Sequence, residues 1–236
     1  MLGIVIPAHN EQRLIGDSVR AARAASLHPG LEGETVELLV VLDSCTDATG
    51  VVAAQGGAHT VSVKVRNVGV ARAVGAEALL ARGARWLAFT DADTMVSASW
   101  LVEQLAQNAD AVCGSVGVDD WSPHGLHAEL LHAHFLETYS DRDGHRHVHG
   151  ANLGVSAEAY RRAGGFRHLA CSEDVEFVAA LEATGACIAW SAAPRVVTSA
   201  RLDARAAGGF ADALLNAIAY RLALVQELCV SPASTA

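Results

Sequence analysis

From the second residue onward, short β-rich runs alternate with helical patterns, and that alternation constrains the fold more than any other feature. Leu2 to Pro7 reads as a strand, Glu11 to Ala25 as a helix and Val36 to Leu42 as a strand. Thr60 to Val65, Gly69 to Arg82 and Arg85 to Thr90 then repeat the pattern. Consecutive units of this kind join parallel strands through right-handed crossovers. The expected fold class is therefore α/β, a Rossmann-like, mostly parallel central sheet flanked by helices. A chain of 236 residues with 51% apolar and 18% charged side chains can bury a sizeable core. We expect a single domain over 1–236, with a first half at 1–116 and a second half at 117–236.

The second half changes character. After a strand at Ala111 to Val116 and a helical stretch near His124 to Thr138, the polar run from Tyr139 to His147 reads as a mobile loop. Val148 to Ser156 reads as a strand, followed by a short helix, the turn Gly164-Gly165-Phe166, and a helix opening at Ser172-Glu173-Asp174. Neither a repeat nor a low-complexity tract divides the chain.

Several function classes are disfavoured at this level. A net charge of −9 argues against a surface built to bind nucleic acid. The five cysteines are widely spaced and include no C-x-x-C pair, which fits a reducing, cytoplasmic compartment. The N-terminus lacks the pattern of a signal peptide, and no stretch of about 18 apolar residues predicts a transmembrane segment.

In open parallel sheets, ligands collect beyond the carboxyl ends of the strands. Three polar loops fall there: Pro7-Ala8-His9-Asn10-Glu11, Asp43-Ser44-Cys45-Thr46-Asp47 and Asp91-Ala92-Asp93. If Asp91 and Asp93 continue an extended segment, side chains at i and i+2 point the same way, and both carboxylates can face one hard cation. Read alone, such a pair also serves as a turn former or helix cap.

The order of these segments resembles the nucleotide-sugar-dependent glycosyltransferases of the GT-A fold, specifically family 2. Ile4-Val5-Ile6-Pro7-Ala8-His9-Asn10-Glu11 looks like that family's V-I-P-x-x-N-E signature. Val40 to Thr49 is similar to its second strand, ending in D-x-S-x-D-x-T. Asn67-Val68-Gly69 with Ala71-Arg72 follows, then Asp91-Ala92-Asp93, Gly150-Ala151-Asn152, Gly164-Gly165-Phe166 and Glu173-Asp174. The resemblance implies that Pro7, Ala8, His9, Glu11 and Asp43 hold the nucleotide base and that Arg72 lies near the nucleotide. It also implies that Asp91, Ala92 and Asp93 meet the diphosphate, with Asp91 and Asp93 as ligands of Mn or Mg. A UDP-sugar is the favoured donor, and a small-molecule or lipid-linked hydroxyl compound is the acceptor bound by the C-terminal half. By family position the catalytic base is Asp174, in a first helical turn that favours its ionised form.

Two departures stand out. The family usually has Asn after the arginine, where this chain has Ala73, and no histidine follows His168 to serve as an extra metal ligand. An aspartate can accept a hydrogen bond from the imide N–H of uracil, which suits Asp43, though the same residue also favours an Asx turn. Glu173 and Asp174 diverge by about 100° on a helix, so they do not form a facing pair for double displacement, and inversion is expected. Rival readings are a sugar nucleotidyltransferase and a degenerate GT-A binding module.

Seven histidines lie between His124 and His149. The alternation of His145, His147 and His149 allows a zinc site on one side of a strand. His9 can stack on the nucleotide or serve as a turn residue, and Trp121 can line the acceptor pocket or pack in a core. Phe210, Leu214, Ile218, Leu222 and Val225 form a helical stripe that its own core or a homodimer contact would cover.

Overall fold

β1 (Leu2–Ala8) is buried along nearly its whole length, as expected for a central parallel strand covered on both faces. It pairs in parallel with β2 (Val36–Asp43) on one side and β4 (Trp86–Phe89) on the other, and β3 (His59–Val63) extends the sheet beyond β2. The computed structural model describes residues 1–202, 212 and 214–219. These fall in two units, Met1–Asp119 with Ser140–Ser199, and Asp120–Tyr139 with Ala200–Ala236.

The first unit holds a seven-stranded sheet in the order β3-β2-β1-β4-β7-β6-β8, with β6 at Ala111–Gly114, β7 at Leu153–Ser156 and β8 at Ile188–Ser191. β7 runs antiparallel to both β4 and β6, while β6 and β8 are parallel. A small antiparallel pair, β5 (Thr94–Val96) and β9 (Val196–Thr198), lies apart.

The helices pack through short side chains at helical spacing. α1 (Ile15–Ser26) buries Ile15, Val19, Ala22 and Ala25. α3 (Val68–Ala81) starts on Asn67, whose side-chain oxygen accepts the Val70 N–H at 3.0 Å. It lies so close to the sheet that a Cβ at Gly75 would stand 2.5 Å from Val5 Cγ1. α2 (Thr49–Gln55) starts just after Asp47, whose Oδ1 accepts the Thr49 N–H at 3.0 Å, whereas α4 (Trp100–Ala106), β5, β8 and β9 were not anticipated, each being too short to show a clear period. α6 (Ala157–Arg162) and α7 (Glu173–Ala183) complete this unit. In the second, a 3₁₀ segment at Ser122–His127 leads into α5 (Ala128–Thr138), and Trp121 stacks on His132 with ring centroids 5.7 Å apart.

Two local expectations are corrected. The polar run from residue 140 to 147, expected to be mobile, is pinned: Asp141 accepts from Ser115 Oγ, Asp143 accepts from Ser191 Oγ and the Ala192 N–H, and the Gly144 N–H donates to Trp190 O. The strand expected from Val148 begins only at Leu153, because the preceding residues turn, with the Asn152 N–H bonded to His149 O at 3.0 Å. Most of the apolar stripe between Phe210 and Cys229 lies outside the described residues. Among the described residues, no helix is long and apolar enough to cross a membrane.

Candidate functional site

The rim formed by the carboxyl ends of the parallel strands carries four non-glycine residues in the left-handed region: Asn10 (φ 53°), Ser44 (φ 53°), Arg66 (φ 47°) and Ser172 (φ 56°). Such backbone persists only where neighbouring contacts over-determine it. Here the first two loops are laced together. Asn10 Oδ1 accepts the Thr46 N–H at 2.8 Å, the Glu11 N–H donates to Thr49 Oγ1 at 2.8 Å, and His9 Nδ1 lies 2.6 Å from Asp43 O. Glu11 is buried. The loop after β1, with Pro7, Ala8 and His9 at its start, is thus held in place by the loop after β2.

Asp43 sits at the end of β2 and is 5% exposed. Its Oδ1 accepts the N–H groups of Val65 and Arg66 at 2.9 and 2.8 Å and the Ser44 hydroxyl at 2.9 Å, and its Oδ2 accepts the Asn67 N–H at 2.7 Å. Burial alone would push this carboxyl up, but those donors outweigh it and hold the group below its ordinary value. The carboxylate thus fixes the loop that leads into α3.

Asp91, Ala92 and Asp93 do not continue β4 as an extended segment. The Thr94 N–H bonds back to Asp91 O at 3.2 Å, so the triplet is a turn, with Asp at the position such turns favour. Ser18 Oγ donates to the same carbonyl at 3.0 Å. Ala92 is buried, and both aspartates are partly exposed.

Arg72, on the first turns of α3, is 3% exposed. One terminal nitrogen donates to Asp91 Oδ1 at 2.6 Å, and the other pairs with Glu173 Oε1, itself buried. The guanidinium lies 5.9 Å from the centroid of the Phe166 ring, and a Cβ on Gly150 would overlap it. Its Nε has no partner. Arg72 is thus a buried tie between the acidic turn and the start of α7.

Asp174 follows Glu173 and points elsewhere, as a divergence of about 100° per helical residue requires. Its Oδ2 accepts the Gly150 N–H at 2.7 Å and its Oδ1 the Val175 N–H at 2.8 Å. The segment before β7 therefore meets the base candidate by its backbone and Arg72 by its missing side chain. Next in chain, Asn152 is buried: its oxygen accepts from Trp100 Nε1 at 2.8 Å, and its amide donates to Ser115 O and Pro194 O at 2.7 and 2.9 Å. Glu173, Gly150 and Asn152 carry structural tasks that sequence reading missed, since nothing local names their partners.

His145, His147 and His149 do not assemble a zinc site. Their rings stack, with centroids 5.5 and 6.1 Å apart and planes inclined by 17° and 26°, so ring faces rather than nitrogens meet. His145 Nδ1 accepts the His147 N–H at 3.2 Å, and His147 Nε2 accepts the Ser140 N–H at 3.1 Å. Burial pushes the His149 ring down to about 4 against the opposing pull of Asp174. Among the described residues, no group of three or more His, Cys, Asp or Glu side chains gathers to hold a metal by itself.

A family model described as glycosyl transferase family 2 matches residues 3–164. No curated protein matches the chain. Among solved structures, glucosyl-3-phosphoglycerate synthase from Mycobacterium tuberculosis, crystallised with Mg2+ and UDP, superposes with a TM-score of 0.61 at 19% identity, covering 94% of this chain and 79% of that one. Residues 1–349 of TarS from S. aureus with UDP-GlcNAc give 0.61 at 14% identity, over 94% and 66%. The mannosyltransferase PcManGT from Pyrobaculum calidifontis with GDP-Man and Mn2+ gives 0.57 at 17%, over 83% and 56%. The chain thus spans about two thirds of that TarS chain and just over half of PcManGT. The shared architecture is the GT-A fold.

Proposed function

Because the chain belongs to glycosyl transferase family 2, we propose that it moves a sugar from a nucleoside-diphosphate sugar, a UDP-sugar first, to an acceptor hydroxyl with inversion at the anomeric carbon. The observation that carries this reading is the connection of the acidic turn to the helix of the base candidate: the partly exposed Asp91 is joined through buried Arg72 to buried Glu173, and Asp174 lies in the first turn of the same helix.

The roles follow from position. Pro7, Ala8, His9 and Glu11, with the loop ordered by Asp43, form the wall against which the base rests. The carboxylates of Asp91 and Asp93 are hard oxygen donors on a tight turn and suit Mg or Mn. Arg72 occupies Asp91 Oδ1, so a cation there would complete its coordination from donor diphosphate and water, as Mg2+ commonly does at phosphate sites. When bound, such an ion neutralises charge developing on the leaving diphosphate. Asp174, held by two backbone N–H groups, accepts the proton of the acceptor hydroxyl as that oxygen bonds to the anomeric carbon and the bond to the diphosphate breaks. Acceptor contacts fall to the half from residue 117 onward.

Calorimetric titration of UDP, GDP, CDP and ADP with and without Mn2+ tests the donor reading, and release of free diphosphate tests turnover. Asp91→Ala is expected to abolish metal-dependent binding, while Asp174→Asn keeps it and stops turnover. Loss of nucleotide affinity in Asp174→Asn would refute this division of labour. Binding of none of the four by the unaltered protein would favour a degenerate module.

A further inference from the structure

Arg72 is shared by two carboxylates that belong to different parts of the site. Asp91 offers one oxygen to it on a side chain 34% exposed, and Glu173 offers another from a side chain only 5% exposed. With both present, the three groups sum to one negative charge. Without Glu173, the Arg72–Asp91 pair would be neutral and closed on itself, leaving little field at the turn for a cation. The guanidinium fills the space that the missing side chain of Gly150 leaves, where a Cβ would stand 2.3 Å from it, and lies 5.9 Å from the centroid of the Phe166 ring.

We propose that Glu173 is a positioning residue whose charge offsets Arg72, so that Asp91 keeps enough negative character to bind the divalent cation of the donor complex. This rests on the donor reading above. It assigns the two residues of the Glu173-Asp174 pair separate tasks on one helix turn, since Asp174 faces the Gly150 N–H while Glu173 tunes a carboxylate on another loop through one guanidinium. A carboxamide in place of Glu173 can still accept a hydrogen bond from Arg72, so Glu173→Gln removes the charge while leaving the contact geometry available.

The test is Mn2+ affinity, followed by the electron paramagnetic resonance signal of free Mn2+ at saturating UDP, with no acceptor present. Glu173→Gln is expected to raise the Mn2+ dissociation constant roughly 5- to 30-fold, the size of a one-charge change acting on a divalent ion through a partly hydrated site. The double change Arg72→Gln with Glu173→Gln restores the lone negative charge on Asp91, and Mn2+ affinity is expected to return to within about threefold of the unaltered protein. An unchanged constant in Glu173→Gln would overturn the proposal. So would a double variant as weak as the single one, which would make Glu173 a packing residue only. A second measurement needs no ligand: urea unfolding of Asp91→Asn, Glu173→Gln and their combination. Non-additive losses are expected if Arg72 ties the two carboxylates together, and additive losses would overturn the tie. If the unaltered protein bound neither Mn2+ nor any nucleoside diphosphate, the transferase reading would fall, while the unfolding cycle would still decide the tie.

Discussion

Replacing Asp43 with asparagine separates loop building from base recognition. In the native protein, Oδ1 takes two backbone N–H groups and the Ser44 hydroxyl, and Oδ2 takes the Asn67 N–H at 2.7 Å. An asparagine can keep its oxygen toward the first set, but its NH2 group then faces the Asn67 N–H, donor against donor. One charge-assisted bond, worth about 1.5–3 kcal/mol, is lost, and the others weaken from charged to neutral strength, for a total of about 2–4 kcal/mol. Asn67 caps α3, so the loss should also loosen the helix that carries Arg72. Urea unfolding followed by circular dichroism at pH 7 should show a midpoint lower by about 1–2 M, with m near 2 kcal/mol/M. The folded-state value of Asp43 is depressed, so its contribution is full above the ordinary 3.8 and disappears as pH falls through the lower folded value. The difference between native protein and Asp43→Asn should therefore shrink only in strong acid. A loss under about 1 kcal/mol accompanied by abolished UDP binding would refute this account, since the carboxylate would then be reading the base instead of holding the loop.

Two more outcomes can be checked directly. Gly150→Ala should force Arg72 off its two carboxylates and lower stability by about 3–5 kcal/mol, seen as a fall in Tm of roughly 10 °C; a shift under about 2 °C would mean that the guanidinium has room to move. His149 is held down to about 4, below its ordinary 6.5, so the unfolded chain binds the extra proton between those values and stability should decline as pH falls from 6.5 toward 4. His149→Gln should remove up to about 3 kcal/mol of that acid-side loss of stability, and an unchanged pH dependence would place the titration elsewhere.

What could be read in advance was the part of the fold written in local pattern. β1, β2, β4, α1 and α3 follow from apolar runs and helical spacing, and the three rim loops follow from where those runs stop. The direction and neighbours of β7 did not, because four residues of apolar pattern fit either direction and any gap in the sheet. Asp91 and Asp93 were legible as a pair, but the choice between an extended segment and a turn was not, since the Thr94-to-Asp91 hydrogen bond depends on β4 ending at Phe89. Arg72 and Glu173 lie about a hundred positions apart, and only the folded chain shows that one needs the other. The alternating histidines resembled a strand face, yet the segment turns, and stacking replaces coordination.

The place of β7 bears on how the protein must be made. β4 is buried on both faces, with β1 along one edge and β7 along the other, and β7 arrives more than sixty residues later. Until residue 156 has left the ribosome, β4 presents an apolar, unpaired edge, the kind that recruits other chains. We therefore expect that the first half of the sequence, cut before β7, would carry an open strand edge on β4 and aggregate. Continuity of the chain through the Gly150 segment protects solubility as well as building the site.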